Sequence, residues 1–465
     1  MSARRPPSDP LRVAATLADT HLSSARTRRV AGSARPEALA RHLSRKYLFD
    51  APRDADDVLD DLASMLRRGT VHGGPRHFGH FQPDVPPAAV AASTLIAAFN
   101  PQTSVRAQGY AAHAIEQHVL RFLAARIGYP PDACAAHFGS GGQEANLAAL
   151  VCALVHTFPA MRSRGLRALP GDPVLYASAE AHHGLEKAAH TAGLGRDAVV
   201  RIPTDAALRL DPDALARTLS RDRAAGRLPF AVVATAGTTA CGAIDPLPEL
   251  AALCAREALW LHCDAAWGGT ALLSPALRGL LAGLERADSV TWDAHKGLAM
   301  PLGTGMFFTR HSGALRDAFA TDTPYMPHRD PAHDEPYETA LPWSRRAAGI
   351  PLFVALATLG APALATKIEQ IFQLGTALRA RLHDVGFTRV NDTPLPLVCF
   401  THPSFDTGAR TPGDVARALR HDGRVWLTPT TLSSGRTVLR AALTSLDTDD
   451  TDLDALVDAL RRAID

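Results

Sequence analysis

The order of apolar and polar positions divides the chain into three stretches. Leu39, Leu43, Leu48, Val58, Leu62 and Met65 recur at helical spacing across residues 36–68, and further helical stretches fall at 87–99 and 111–127. Gly128, with Pro130 and Pro131, closes the last of these. "HFGHFQPDVPP" (77–87) interrupts the pattern as a Pro-rich loop. From about residue 136 short apolar runs take over: "PVLYAS" (173–178), "AVVRIP" (198–203), "FAVVATAG" (230–237), "LWLHCDA" (259–265), "SVTWDA" (289–294) and "GMFFTR" (305–310). Helix-like segments such as "DPDALARTLSRDRAAG" lie between them. Strands this poor in polar positions need cover on both faces, and alternation with helices predicts a mostly parallel sheet. After residue 346 a long helical region leads to "PLPLVCF", "RVWLTP", "TVLRAALT" and a closing helix, "TDLDALVDALRRA". The expected organisation is an N-terminal helical segment (1–90), a large α/β domain (91–345) and a smaller C-terminal α/β domain (346–465).

Composition narrows the function classes. The 465 residues are 46% hydrophobic and 21% charged, an ordinary globular balance. Lys and Arg number 49 against 47 Asp and Glu, and a net charge of +2 gives no electrostatic footprint for nucleic acid or an anionic membrane surface. No apolar run has the length of a membrane span. Six cysteines, none in a CxxC pair, read as reduced core thiols rather than disulfides or zinc ligands, which points to the cytoplasm. No metal-ligand cluster stands out. The Arg- and Ser-rich N-terminus carries Asp9 and Asp19 and lacks the apolar core of a secretory signal, so a plain flexible arm is expected there ahead of a transit peptide.

In a parallel sheet, ligand chemistry gathers at the strand C-terminal ends, where "ATAGTT", "CDAAWGG" and "DAHKG" fall. "FGSGGQEANLAALVCAL" (138–154) is a glycine turn opening into a helix, whose free N–H groups and positive end suit an anion. It is not a P-loop, because GxxxxGK[ST] spacing is absent. Asp264 ends one strand run; it either caps the following turn or faces a cation. Lys296 ends the next run, in apolar surroundings where a lysine usually serves as more than a surface charge. A lysine, an acid, an anion turn and the histidines of "EAHHGLEKAA" match the needs of pyridoxal phosphate: an amine for its aldehyde, an acid for its ring nitrogen and a phosphate anchor.

"GSGGQEANLAAL", "AHHGLEKAA", "ATAGTTACGAIDP", "HCDAAWGG", "DAHKG" and "SRRAAG" occur in the order and spacing of the group II pyridoxal-phosphate-dependent amino acid decarboxylases. The chain resembles that family from about residue 75 to its end. The resemblance implies the aspartate aminotransferase fold (fold type I), pyridoxal 5'-phosphate, an amino acid substrate converted to its amine and CO2, and a homodimer with a mobile loop of each subunit covering the partner's site. It implies that Lys296 bonds the cofactor, Asp264 pairs with the ring nitrogen and His182 stacks on the ring. By the same resemblance Gly142, Gln143, Asp293 and His295 surround the phosphate, Ala266 packs beneath the ring and Thr239 lies beside it. His80 and Phe81 match a substrate-pocket segment. Tyr325, in the polar loop 319–338, matches the tyrosine that returns a proton to the substrate carbon, with Tyr337 as competitor.

The chain departs from the family pattern in two places near the substrate. His113, in "GYAAHAIE", replaces a common threonine and joins His80 and Phe81 as a pocket candidate. Gly297 follows the lysine where a tryptophan is frequent, a change expected to widen the pocket. Carbon–carbon lysis and oxidative deamination on the same cofactor compete with decarboxylation, as does a catalytically silent scaffold.

Overall fold

The computed structural model describes residues 9–32, 35–321, 323–326 and 334–464. Its centre is a seven-stranded sheet: β1 (Ala135–Gly139), β2 (Pro173–Ser178), β3 (Val199–Ile202), β4 (Leu228–Thr235), β5 (Trp260–Asp264), β6 (Ser289–Asp293) and β7 (Gly305–Thr309), in the order β1-β7-β6-β5-β4-β2-β3. The strands from β3 to β6 run parallel, and β7 is antiparallel to both its neighbours. The apolar runs became β2 to β7. β1 lies outside those runs, since "AAHFG" is short and carries His137.

Alternation along the strands builds two cores. Val174, Tyr176, Val232 and Ala234 face one cluster, and Leu175, Ala177, Ala231 and Val233 face the other. The helix Gly142–Thr157 covers the second face with small residues, among them Ala145, Ala148, Ala149 and Ala153. Its start is fixed by a close backbone approach: a Cβ on Gly305 of β7 would lie 2.3 Å from Gly141 Cα. Glycine at both positions lets the strand press against the turn.

The C-terminal sheet is antiparallel, with β8 (Thr388–Arg389), β9 (Leu397–Thr401), β10 (Thr428–Thr431) and β11 (Thr437–Ala442) in the order β10-β11-β9-β8. "RVWLTP" enters the sheet only at Thr428; Trp426 instead bridges to His77. The helical stretch 36–68 divides into Pro36–Lys46 and Ala55–Arg68, because Pro52 breaks the period and the Asp54 side chain caps the second helix. The flexible arm expected at the N-terminus is, from Asp9 onward, a helix (Pro10–Ser23) followed by a docked segment. Arg26 pairs with Asp452 at 2.6 Å, and Val30 N–H donates to Gly423 O at 2.8 Å. Among the described residues no single helix is long and apolar enough to cross a membrane.

His77 and His137 are buried with both ring nitrogens lacking a hydrogen-bond partner among the described residues. Burial pushes each down to about 3. The unfolded chain protonates both near pH ~6.5, whereas the native chain resists to about pH 3, so their stabilisation is complete above ~6.5 and is lost as pH falls. Thermal melts should drop progressively from pH ~7 towards pH ~4, and His137→Leu should make that drop shallower. An unchanged slope in the variant would remove His137 as a cause.

Candidate active site

A cavity of about 260 Å³ opens at the C-terminal ends of β4, β5 and β6. Thr235, Asp264 and Asp293 end these strands and line it, together with the start of the helix Gly142–Thr157. Lys296 reaches it from the turn after β6, with Nζ 3.1 Å from Asp293 Oδ2. His295 Nε2 lies 3.6 Å from the same oxygen. Thr304 O accepts from the backbone N–H of both Ala294 and His295, which fixes this turn. Asp293 Oδ1 and His295 Nδ1 are buried without a partner among the described residues.

Asp264 is 8% exposed. Its Oδ2 accepts from Asn146 Nδ2 at 2.8 Å and its Oδ1 from Ala266 N–H at 3.1 Å. Across the cavity, His182 Nδ1 accepts from Gly184 N–H at 3.1 Å, so the ring is oriented by its own loop. Burial lowers the His182 pKa, and the nearby Asp264 charge opposes that shift. Gln143 Nε2 donates to Gly184 O at 3.0 Å and ties this loop to the helix start. Arg201 holds the loop from behind, donating to Ser178 O and Ala181 O.

The structure supports a fit to pyridoxal phosphate at each end of the cavity. Gly142 and Gln143 occupy the first helical positions after the cap Gly141, where backbone N–H groups have no intrahelical acceptor. The space above them exists because position 142 is glycine: a Cβ there would meet Asp293 Oδ2 at 3.0 Å and Ala266 Cβ at 3.3 Å. Donors for a phosphate, an amine for an aldehyde and a buried carboxylate for a ring nitrogen share one cavity.

Ten of the candidates line that cavity: Phe81, Gly142, Gln143, His182, Thr239, Asp264, Ala266, Asp293, His295 and Lys296. His80 and His113 do not. Phe81 turns inward against Trp267, with ring centroids 4.8 Å apart, while its neighbour His80 turns outward onto Trp426 at 5.0 Å. His113 is half-buried on the helix Tyr110–Ile127, where burial and the charges of Arg106 and Arg345 hold it down to about 4. Tyr325 is 73% exposed and does not line the cavity of its own chain. Tyr337 is buried, shares a hydrogen bond with Thr323 Oγ1 at 2.8 Å and stacks on Trp343 at 4.5 Å, whereas the Tyr325 hydroxyl has no hydrogen-bond partner among the described residues. Residues 322 and 327–333 of this loop lie outside the described residues.

Gly297 does not widen the cavity. It faces Thr270, where an added Cβ would lie 2.1 Å from Oγ1, and it borders a separate small void against Ile368 and Leu395. Two residues escaped the sequence reading, one lining the cavity and one behind its wall. Asn146 lies three residues beyond Gln143, on the same helix face, a spacing that could have revealed it. Arg440 sits within "TVLRAALT", a lone charge in an apolar strand, the same signal that exposed Lys296. It is 6% exposed, donates to Thr239 O and Gly79 O (both 2.7 Å), and its guanidinium lies 5.5 Å from the Phe81 ring centre. No carboxylate of the described residues pairs with it.

The pyridoxal-dependent decarboxylase conserved domain matches residues 36–402, and the chain belongs to that family. Human cysteine sulfinic acid decarboxylase is 32% identical over 348 residues, 74% of this chain and 70% of that protein. L-2,4-diaminobutyrate decarboxylase of Rhizobium meliloti is 36% identical over 311 residues, 66% of this chain and 61% of that protein. The crystal structure of mouse CSAD covers 98% of both chains with a TM-score of 0.90 at 27% identity. That of Oryza sativa TDC with PLP and tryptamine covers 100% of this chain and 99% of its own, with a TM-score of 0.89 at 25% identity. The chain is a pyridoxal-phosphate-dependent amino acid decarboxylase, a carboxy-lyase of fold type I.

Gly142→Ala should leave the fold intact and weaken cofactor binding by about tenfold, the scale of one misplaced contact to a charged group. Fluorescence titration of the apoprotein with pyridoxal phosphate measures this. Wild-type affinity in the variant would show that the phosphate does not occupy this turn.

Proposed function

We propose that the enzyme releases CO2 from an L-amino acid and returns a proton to the same carbon, acting as a homodimer in the cytoplasm. The carrying observation is the convergence of Lys296, Asp264, His182 and the glycine turn on one cavity. Lys296 would hold the cofactor at its aldehyde carbon. Asp264, an anion 8% exposed, would keep the ring nitrogen protonated. Gly142 and Gln143 would donate to the phosphate, with Asp293 and His295 beside it. His182 and Ala266 would bracket the ring, with Thr239 at its edge. When bound, pyridoxal phosphate supplies the electron sink that accepts the pair left by the departing carboxylate.

The chain's own residues select the bond that breaks. Phe81 and Trp267 give the cavity an apolar wall, and Arg440 beyond Phe81 is a buried cation without a carboxylate partner among the described residues. A substrate carboxylate would be drawn towards that side by the charge alone, since Arg440 does not itself line the cavity. Tyr325 would then donate its proton to the substrate carbon.

Surface features support the dimer. Leu66, Leu95 and Phe99 are 67%, 57% and 81% exposed on the N-terminal helices, and Phe49, in the bend between two of them, is 92% exposed; a second copy would cover such apolar side chains. Tyr325 stands outside its own cavity, which suits delivery to the partner's. The six free cysteines suit a reducing compartment.

Lys296→Ala should abolish turnover. Tyr325→Phe should lower amine formation by about a hundredfold and raise aldehyde, as expected on losing a general acid. Chains carrying one substitution each, mixed so that hybrid dimers form, should regain amine formation, because each hybrid holds one site with both groups. CO2, amine, aldehyde and H2O2 measured together over a panel of L-amino acids would establish the substrate. Aldehyde without amine from the wild-type enzyme would sink the reading, and failure of the hybrids to recover would place Tyr325 in its own subunit's chemistry or outside it.

A further inference from the structure

Trp260, His262 and Asp264 alternate along β5 and so share one face of the sheet; Ser289 and Thr291 do the same on β6. The helix Gly142–Thr157 lays Asn146 over that face. These side chains form an unbroken run of hydrogen bonds from the far end of β5 to the cavity. Asp264 is 8% exposed, and each of the others is 3% exposed or less.

The direction of every bond in the run follows from its two ends. An indole N–H only donates, and an ionised carboxylate only accepts. Asn146 must therefore turn Nδ2 to Asp264 Oδ2, at 2.8 Å, and Oδ1 away from it. That Oδ1 accepts from Thr291 Oγ1 at 2.8 Å and from His262 Nε2 at 3.0 Å. His262 then carries its proton on Nε2, and its Nδ1 accepts from Ser289 Oγ at 2.8 Å. Ser289 Oγ in turn accepts from Trp260 Nε1–H at 2.8 Å. The Nε2 proton of His262 also lies within reach of Thr291 Oγ1, at 3.2 Å between the heavy atoms, and the bonds from Trp260 to Asn146 all point towards Asp264. Burial, which pushes His262 down to about 4, keeps the imidazole neutral as this order requires.

We infer that Trp260, Ser289, His262 and Asn146 form a one-way hydrogen-bond relay that positions the Asp264 carboxylate to face the cofactor's ring nitrogen. The relay rests on the reading of Asp264 given above. His262 and Ser289 do not line the cavity; they are positioning residues acting through Asn146. Aligned bonds polarise one another, so a missing donor at the Ser289 end weakens the grip on Asp264 at the other. The histidine rings of His156 and His311 pack on Trp260 at 5.2 Å and 4.9 Å and close the outer end.

Ser289→Ala and Thr291→Val each remove one hydroxyl at nearly constant volume, and His262→Phe and His262→Gln form a pair in which only glutamine can donate to Asn146. The holoenzymes are compared by kcat and KM, by the visible absorbance of the bound cofactor and by cofactor affinity. Ser289→Ala and His262→Phe should lower kcat roughly tenfold with KM little changed, shift the visible band and weaken cofactor binding by a similar factor. His262→Gln should restore most of each property. Should His262→Phe fail to fold, Ser289→Ala and Thr291→Val carry the test. Variants that lose thermal stability while keeping band, affinity and kcat would reduce the run to a structural role and overturn the inference. Asp264→Asn separates the two levels: if it too leaves band and kcat unchanged, the reading of Asp264 fails; if it is impaired while the relay variants are not, the relay alone fails.

Discussion

The carboxylate of Asp264, buried at the end of β5, is the constraint on which the rest of the site depends. An anion in such a place costs several kcal/mol unless hydrogen bonds and an opposite charge compensate it. Two donors, Asn146 Nδ2 and Ala266 N–H, meet its two oxygens. The small residues that follow have a matching reason. A Cβ on Gly268 would lie 2.2 Å from Ala236 O, so the turn after β5 can fold tightly over β4 only with glycine there. The loop stays close, and the carboxylate stays enclosed on every side but that of the cavity.

The sheet topology brings the remaining parts to that carboxylate. β5 and β6 are parallel neighbours, so Asp264 and Asp293 finish at the same edge, and the tight turn after β6 carries Lys296 back over it. The antiparallel β7 returns from that turn and, through Gly305, presses on the glycine turn that starts the helix Gly142–Thr157. One helix thereby supplies both the free amides at its own start and Asn146 beside the Asp264 carboxylate. Its many alanines permit the close approach to the sheet that both tasks require.

The C-terminal sheet contributes at the rim. Arg440 on β11 donates to Thr239 O of the large sheet's loop, and Ser433 N–H, in the hairpin between β10 and β11, donates to Glu180 two residues before His182. These links hold both walls of the cavity in register. They also leave a buried guanidinium behind Thr239 and Phe81 with no carboxylate of the described residues to neutralise it.

The sequence by itself determined the strand order of chemistry and the identity of most of the groups. Apolar runs separated by helical periods predicted the parallel strands, and Asp264, Lys296 and the glycine turn stood out as polar or flexible residues in apolar company. Those signals are local, set by spacing along one element. Only the tertiary structure decided which side of a loop faces inward. His80 and Phe81 are adjacent yet point apart, because Trp426 packs one and Trp267 the other. Gly297 follows the lysine yet opens away from the cavity, against Thr270. Asn146, His262 and Ser289 lie up to 143 residues apart in sequence, and their hydrogen bonds exist only once the helix is laid across β5 and β6. Side-chain direction in loops and the pairing of buried polar groups depend on contacts between distant segments, and no period along a single chain encodes them.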